Sequence, residues 1–384
     1  MSKNTFTSFN SMGDETQVQF LNASDFYEEE CFEQDIRAFF GNPENFSVFS
    51  KGLVAYLDDS SSPYDQLKEL NREAGTGISE KTLKNWLDGK NNPQGSANAR
   101  NNMYKICFML KMNYEETAKF FTRVYLAKPF NFRDISECVY AFCLRKGLSF
   151  QKAMEMLEAI EIGARQQEPN AFKSTSDLRM DITSFQTEEE LVSYLTKNYS
   201  SFQINSQTAR EIIDHLTELC KECILEEKDR YGTVVNDLKG KIISADDILS
   251  VILDNQVTQA AERPVNKRTI KQDSYFTEVA KLNFPKKQEY IKILNDQGAQ
   301  SLEAIRKLMI LLQFYVFWCK CTDCSAKESF EEYIYDANFY LNKAGYGDLY
   351  FRNPYDGLFI YAAVSHNPLD SFRDLFCTMF PTEE

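Results

Sequence analysis

Between Gly77 and Pro93 the chain has little freedom in what it folds into. Ser79 is placed to accept the first free backbone NH groups of a helix, Gly89 suits a left-handed residue just past a helix end, and Pro93 forbids continuation. A short helix between those stops is therefore predicted. At about 100° per residue, Leu83, Trp86 and Leu87 share one face, while Lys81, Lys84 and Asn85 share the opposite one. One side can pack and the other can meet an anion.

The flanks carry the same helical texture. Upstream, Ser62-Pro63-Tyr64-Asp65 opens a helix that turns Leu67, Leu70 and Ala74 inward; downstream, residues 100–112 bring Met103, Ile106, Cys107 and Leu110 to helical spacing. Asn113 and Glu116 then cap a helix running through Phe120, Phe121, Val124 and Tyr125. Over residues 46–126, about a fifth of the chain, this arrangement resembles helix-turn-helix domains of the Cro and lambda-repressor type. Ile78-Ser79, Thr82-Leu83, Trp86-Leu87, Gly89-Lys90 and Pro93 are similar to their third helix and the loop after it. The pattern departs at Gly75-Thr76-Gly77, a longer and more glycine-rich turn. The resemblance implies a bacterial-type regulator that reads double-stranded DNA. In that role Glu80, Lys81, Lys84 and Asn85 reach base edges or nearby phosphates, and Ser79, Lys90 and Asn91 hold phosphates and set register.

Charge is uneven along the chain. Its formal value is −14, which repels a phosphate backbone at long range. Between Lys81 and Lys111, however, six basic residues (Lys81, Lys84, Lys90, Arg100, Lys105, Lys111) face one acid, Asp88, a local charge of +5. Residues 1–45 hold two basic residues and nine acids, a local charge of −7. An acidic remainder around a basic patch suppresses non-specific binding, so affinity is expected to depend on site sequence and salt.

A chain of 384 residues with 43% hydrophobic and 14% aromatic content can build two or three real cores. The longest apolar run, Leu308 to Cys319, contains Gln313 and falls short of the roughly 20 residues that span a bilayer. No leader pattern opens the sequence, so the expectation is a cytoplasmic protein without membrane attachment. Ten cysteines then read as reduced, with Cys107, Cys138 and Cys143 serving as small core residues.

Capped helical periods recur almost everywhere and strand-like alternation is rare, so the expected fold class is all-α. The reading divides the chain into an acidic segment 1–45 with a helix over Ser24–Phe40, a helix-turn-helix module with added helices at 46–162, a linker at 163–187, and a C-terminal multi-helix bundle or irregular helical array at 188–384. No period is clean enough to name a repeat. Ser62-Pro63-Tyr64-Asp65, Asn353-Pro354-Tyr355-Asp356 and Asn367-Pro368-Leu369-Asp370 share one helix-start signal: a capping side chain, a proline pre-set for helix and an acid in the positive first turn.

Four weaker constellations stand beside the basic helix. Arg210 and His215 have the Arg-x4-His spacing that looks like the ribonuclease motif of helical HEPN domains, where His215 would be the acid or base and Arg210 would steady a scissile phosphate. Cys319, Cys321 and Cys324 offer three thiols to zinc, which wants a fourth ligand that only His366 or Cys377 could bring from afar. His215, Cys220 and Cys223 form a poorer set, and the basic stretch Arg263–Lys287 is either a second nucleic-acid contact or a solvated loop. No phosphate loop, dinucleotide fingerprint or nucleophile elbow occurs, and no cofactor is indicated. Three classes of function stay open: a DNA-binding transcriptional regulator with a C-terminal domain for homodimerisation or sensing, a protein or peptide interaction module reusing the same helices, and the ribonuclease.

Overall fold

The computed structural model describes residues 46, 48–58, 61–90, 93, 97–164, 175–199, 202, 207–226, 242–253, 283–298, 301–321, 326–365 and 367–379. Among these every regular element is helical, so the all-α expectation holds. The helix expected at Ser24–Phe40 and nearly all of the basic stretch 263–287 lie outside the described residues. Contacts gather the chain into two units, Ser47–Arg210 and one containing Glu211–Glu384.

The first unit holds α1 (Phe49–Val54), α2 (Pro63–Ala74), α3 (Glu80–Leu87), α4 (Ala97–Met109), α5 (Tyr114–Phe120) continued by a π-helical turn at Phe121–Tyr125, α6 (Ile135–Lys146), α7 (Phe150–Ala164), α8 (Thr175–Ser184) and α9 (Glu188–Lys197). Its core runs through Leu53, Leu67, Leu83, Met103, Phe120, Phe121, Val139 and Leu195, all sealed from solvent. Phe49 of α1 meets Trp86 edge-on at 5.9 Å and Phe120 at 6.3 Å, and Tyr56, two residues past the end of α1, meets Phe120 at 5.7 Å. Capping boxes close the starts of α5 (Asn113 with Glu116) and α9 (Thr187 with Glu190). Ser62 makes no capping hydrogen bond with its side chain, so α2 starts on Pro63 alone.

Part of the stretch expected as a linker is folded. Helix α8 occupies Thr175–Ser184 and buries Leu178 and Ile182 in the same core, and Arg145 of α6 donates to the Phe185 carbonyl at 2.6 Å. Two apolar anchors among Ser, Thr and Asp are too sparse a period to read. The division of the chain by contacts falls near Arg210.

The second unit comprises most of α10 (Gln207–Glu226), then α11 (Ala245–Ile252), α12 (Lys287–Leu294), α13 (Leu302–Lys320), α14 (Ala326–Lys343), α15 (Pro354–Ala363) and α16 (Pro368–Met379). Helix α13 is apolar on nearly every side because it is central: Leu308 through Val316 are all buried. Phe314 touches Tyr333 of α14, Phe359 of α15 and Phe372 of α16 at 5.2–5.5 Å. Arg373, 1% exposed, reaches the end of α11 and donates to the Val251 carbonyl at 3.1 Å, where a cation opposes the negative helix terminus.

A degenerate repeat, which escaped the sequence reading, joins the two units. Tyr114, Ala118, Phe120, Phe132-Arg133-Asp134 and Glu137 recur, without a gap, as Tyr333, Ala337, Phe339, Phe351-Arg352-Asn353 and Asp356. The geometry recurs with them. Asp134 N donates to Asn131 O at 2.9 Å and Asn353 N to Tyr350 O at 2.8 Å. Asn131 N donates to the Glu137 carboxylate at 2.7 Å and Tyr350 N to the Asp356 carboxylate at 2.9 Å. Each carboxylate stands in the first turn of its helix and binds a buried arginine through two hydrogen bonds, Arg100 in one case and Arg306 in the other. Even the left-handed residue after the preceding helix coincides, Leu126 (φ 58°) matching Gly345 (φ 75°). The segment α5–α6 is thus repeated as α14–α15, and each copy is met by a buried arginine from the helix before it.

Candidate nucleic-acid interface

Helix α3 lies where its sequence places it. Ser79 takes an extended backbone and its Oγ accepts the Thr82 NH at 3.2 Å, while Gly89 is left-handed (φ 65°) and Lys90 N closes the helix end on Asn85 O at 3.0 Å. Leu83 and Trp86 are buried, and Lys81 and Lys84 are exposed. Asn85 is half-buried.

What fixes α3 against α2 is Asn71, a residue the sequence reading did not single out. Gly75 (φ 61°) ends α2, and the Asn71 side chain then grips the turn: its Nδ2 donates to Ile78 O at 2.9 Å and its Oδ1 accepts the Ile78 NH at 3.1 Å. Thr76 Oγ1 donates to the same Oδ1 at 2.5 Å. An asparagine two-thirds of the way along a helix gives no local signal of such a role, because its partners lie beyond the glycine stop. The glycine-rich turn that departs from the resemblance is therefore a tied structure.

The expected contact residues divide. Lys81 and Lys84, one turn apart, make no ion pair among the described residues. Glu80, expected to face a groove, is instead engaged within the module: Lys68 Nζ stands 3.0 Å away and the Tyr64 hydroxyl donates to it at 3.0 Å. Those two hydrogen bonds, together with the lysine charge, hold its carboxyl below the ordinary value. Lys90 pairs with Asp88 at 2.7 Å, which lowers the Asp88 carboxyl in turn. Ser79 is committed to capping, and Asn91 lies outside the described residues.

The local +5 patch is smaller in space than in sequence. Arg100 is buried and bound to Glu137; burial alone would lower its guanidinium, and the facing carboxylate more than reverses this. Lys105 is half-buried with its Nζ 5.8 Å from the Phe150 ring centre, leaving Lys81, Lys84 and Lys111 as the exposed unpaired cations of that stretch among the described residues. The remaining surface is a compact two-lysine face with one amide beside it. Lysines act on phosphate as point charges, and an asparagine amide is matched to the N6/N7 edge of adenine. An eight-residue helix is about 12 Å long, the width of a major groove.

Taken together, the other constellations lie only partly among the described residues. Arg210 and His215 lie on one continuous helix, α10, five residues and therefore about 140° apart. His215 is exposed, its ring 6.5 Å from that of Tyr340. Cys220 and Cys223 are buried while His215 is not, which separates that trio. Cys319 and Cys321 end α13 half-buried, with Cys321 Sγ 3.4 Å from Ser329 Oγ. Cys324 and His366 lie outside the described residues, and no group of three potential ligands gathers among those described. No described helix is long and apolar enough to cross a membrane. Comparisons with family models, with curated proteins and with solved structures return no match to this chain.

Proposed function

We propose that this protein is a sequence-specific DNA-binding transcriptional regulator in which α2 and α3 form a helix-turn-helix and α3 is the recognition helix. One observation carries the reading: a short helix, fixed at both ends and anchored by buried Leu83 and Trp86, leaves Lys81 and Lys84 exposed with half-buried Asn85 beside them. Lys81 and Lys84 then contact phosphates or guanine edges, and Asn85 reads a base. Glu80, Tyr64, Lys68 and Asn71 hold α3 at its angle. The −14 charge of the chain makes binding dependent on those few contacts and hence on the site. The second unit serves dimerisation or sensing, in keeping with the two-fold sites of helix-turn-helix readers.

A mobility-shift titration against fragmented genomic DNA, repeated across salt concentrations, tests this. Wild type is expected to retain a subset of fragments, and Lys81→Ala/Lys84→Ala/Asn85→Ala to retain none while melting at the same temperature. Equal retention by the triple variant overturns the proposal. A second reading, in which α3 docks on a protein, is favoured by the withdrawal of Arg100 from the surface; it predicts no DNA retained by wild type at physiological salt.

A further inference from the structure

The two copies of the repeat differ in what covers them. In the first copy Phe120 is fully buried: α1 and the turn after it bring Phe49 and Tyr56 to its ring, and Gly52 of α1 sits directly against Val124. Their counterparts on α14 are Phe339 and Lys343, and both are exposed. Phe339 is 52% exposed, and Tyr335, one turn earlier at the position of Glu116, is 59% exposed. Large aromatic side chains left half in water one turn apart are uncommon on a surface unless something covers them. The same helix face carries Glu328, Glu331 and Glu332, all exposed.

We propose that the Tyr335/Phe339 stripe of α14 docks a short basic amphipathic helix of a partner protein, seated as α1 is seated on α5. The repeat supplies the geometry: Phe49 of α1 and Tyr56 just past its end, seven residues apart, cover the equivalent face with aromatic rings. Charge supplies the identity of the occupant. Three exposed acids beside the stripe, against one exposed lysine of the same face, Lys343, favour lysine or arginine flanks on the incoming helix. The inference rests on the repeat and stands apart from the DNA-binding reading, which concerns the other unit.

The probe is a fluorescein-labelled peptide of about 16 residues, long enough to take up helix, with Leu and Phe on one face and Lys on the other. Its isostere with Glu for every Lys is the control. Fluorescence anisotropy with the full chain should show binding of the basic peptide, weakened about tenfold or more in Tyr335→Ser/Phe339→Ser, as expected when central aromatic anchors are removed. The glutamate peptide should not bind. Because both side chains are exposed, the double variant should melt with wild type, which separates lost docking from lost folding. Three results overturn the proposal: no binding of the basic peptide, equal binding to the double variant (charge attraction alone), or a wild-type dimer that becomes a monomer in the double variant, which would make a second copy the occupant.

Discussion

Arg100 grips Glu137 across 37 residues of chain through parallel hydrogen bonds of 2.9 and 2.8 Å, and the Tyr104 hydroxyl of the same helix donates to that carboxylate at 2.7 Å. The arginine comes from the first turn of α4 and the carboxylate from the first turn of α6. The pair therefore ties the helix following the α2–α3 module to the helical layer beneath it. Removing one partner leaves a buried charge without its counterpart, which costs about 3–5 kcal/mol. Arg100→Met is expected to lose that much in urea unfolding. Arg100→Met/Glu137→Leu, which removes both charges, should recover a large part. A single variant no less stable than wild type would show that the pair bears no load, and by extension so would its counterpart Arg306–Asp356.

Asn71 is the clearest test of whether the turn positions α3. Asn71→Ala leaves the Ile78 NH and carbonyl without their partners, a loss of about 1–3 kcal/mol for partly buried groups. Binding of DNA should fall as well, although residue 71 stands on α2, away from the exposed lysines. Asn71→Asp keeps the acceptor for the Ile78 NH but not the donor, so it should fall between wild type and alanine in both measurements. An alanine variant with intact affinity would show that the angle of α3 is set elsewhere.

How much of this was legible in the sequence follows from the range of each interaction. Ser79, Gly89 and the Leu83/Trp86 face act over one or two turns, so α3 could be read residue by residue. The capping box at Asn113 was legible for the same reason. Arg100 looked like surface charge because its partner is 37 residues away, and nothing near it in sequence announces burial. Glu80 looked free because Lys68 and Tyr64 lie on another helix. The repeat was hidden by a different cause: only a few positions keep their identity, scattered over α5, the loop after it and the start of α6, while others, such as Val124 against Lys343, have changed class.

The cysteines give a chemical test of the core. Cys107, Cys138, Cys143 and Cys220 are buried, and burial pushes each thiol up, Cys143 to about 12. The thiolate is the reactive form, so at pH 8 these four should resist iodoacetamide. Cys319 and Cys321, half-buried at the end of α13, should label first among the described cysteines. Peptide mapping after a timed pulse reads this directly. In denaturant all should label at similar rates; fast labelling of Cys107 in native protein would contradict the packing of α4 described above.

The last prediction concerns acid. The Glu80 carboxyl is held below its ordinary value of 4.5 by hydrogen bonds from Lys68 and Tyr64. A carboxylate whose folded value is depressed adds stability that is complete above its unfolded value and disappears as pH falls through the folded one. The contribution of Glu80 is therefore whole at neutral pH and begins to fade only below about pH 4.5, as protons compete with Lys68. The side chains are exposed, so the effect is modest and salt weakens it. Glu80→Gln should melt slightly below wild type at pH 7 in low salt, with the gap closing towards pH 3 and also closing in 1 M salt at pH 7. A gap that persists unchanged at pH 3 would mean that the carboxylate charge is not what joins α3 to α2.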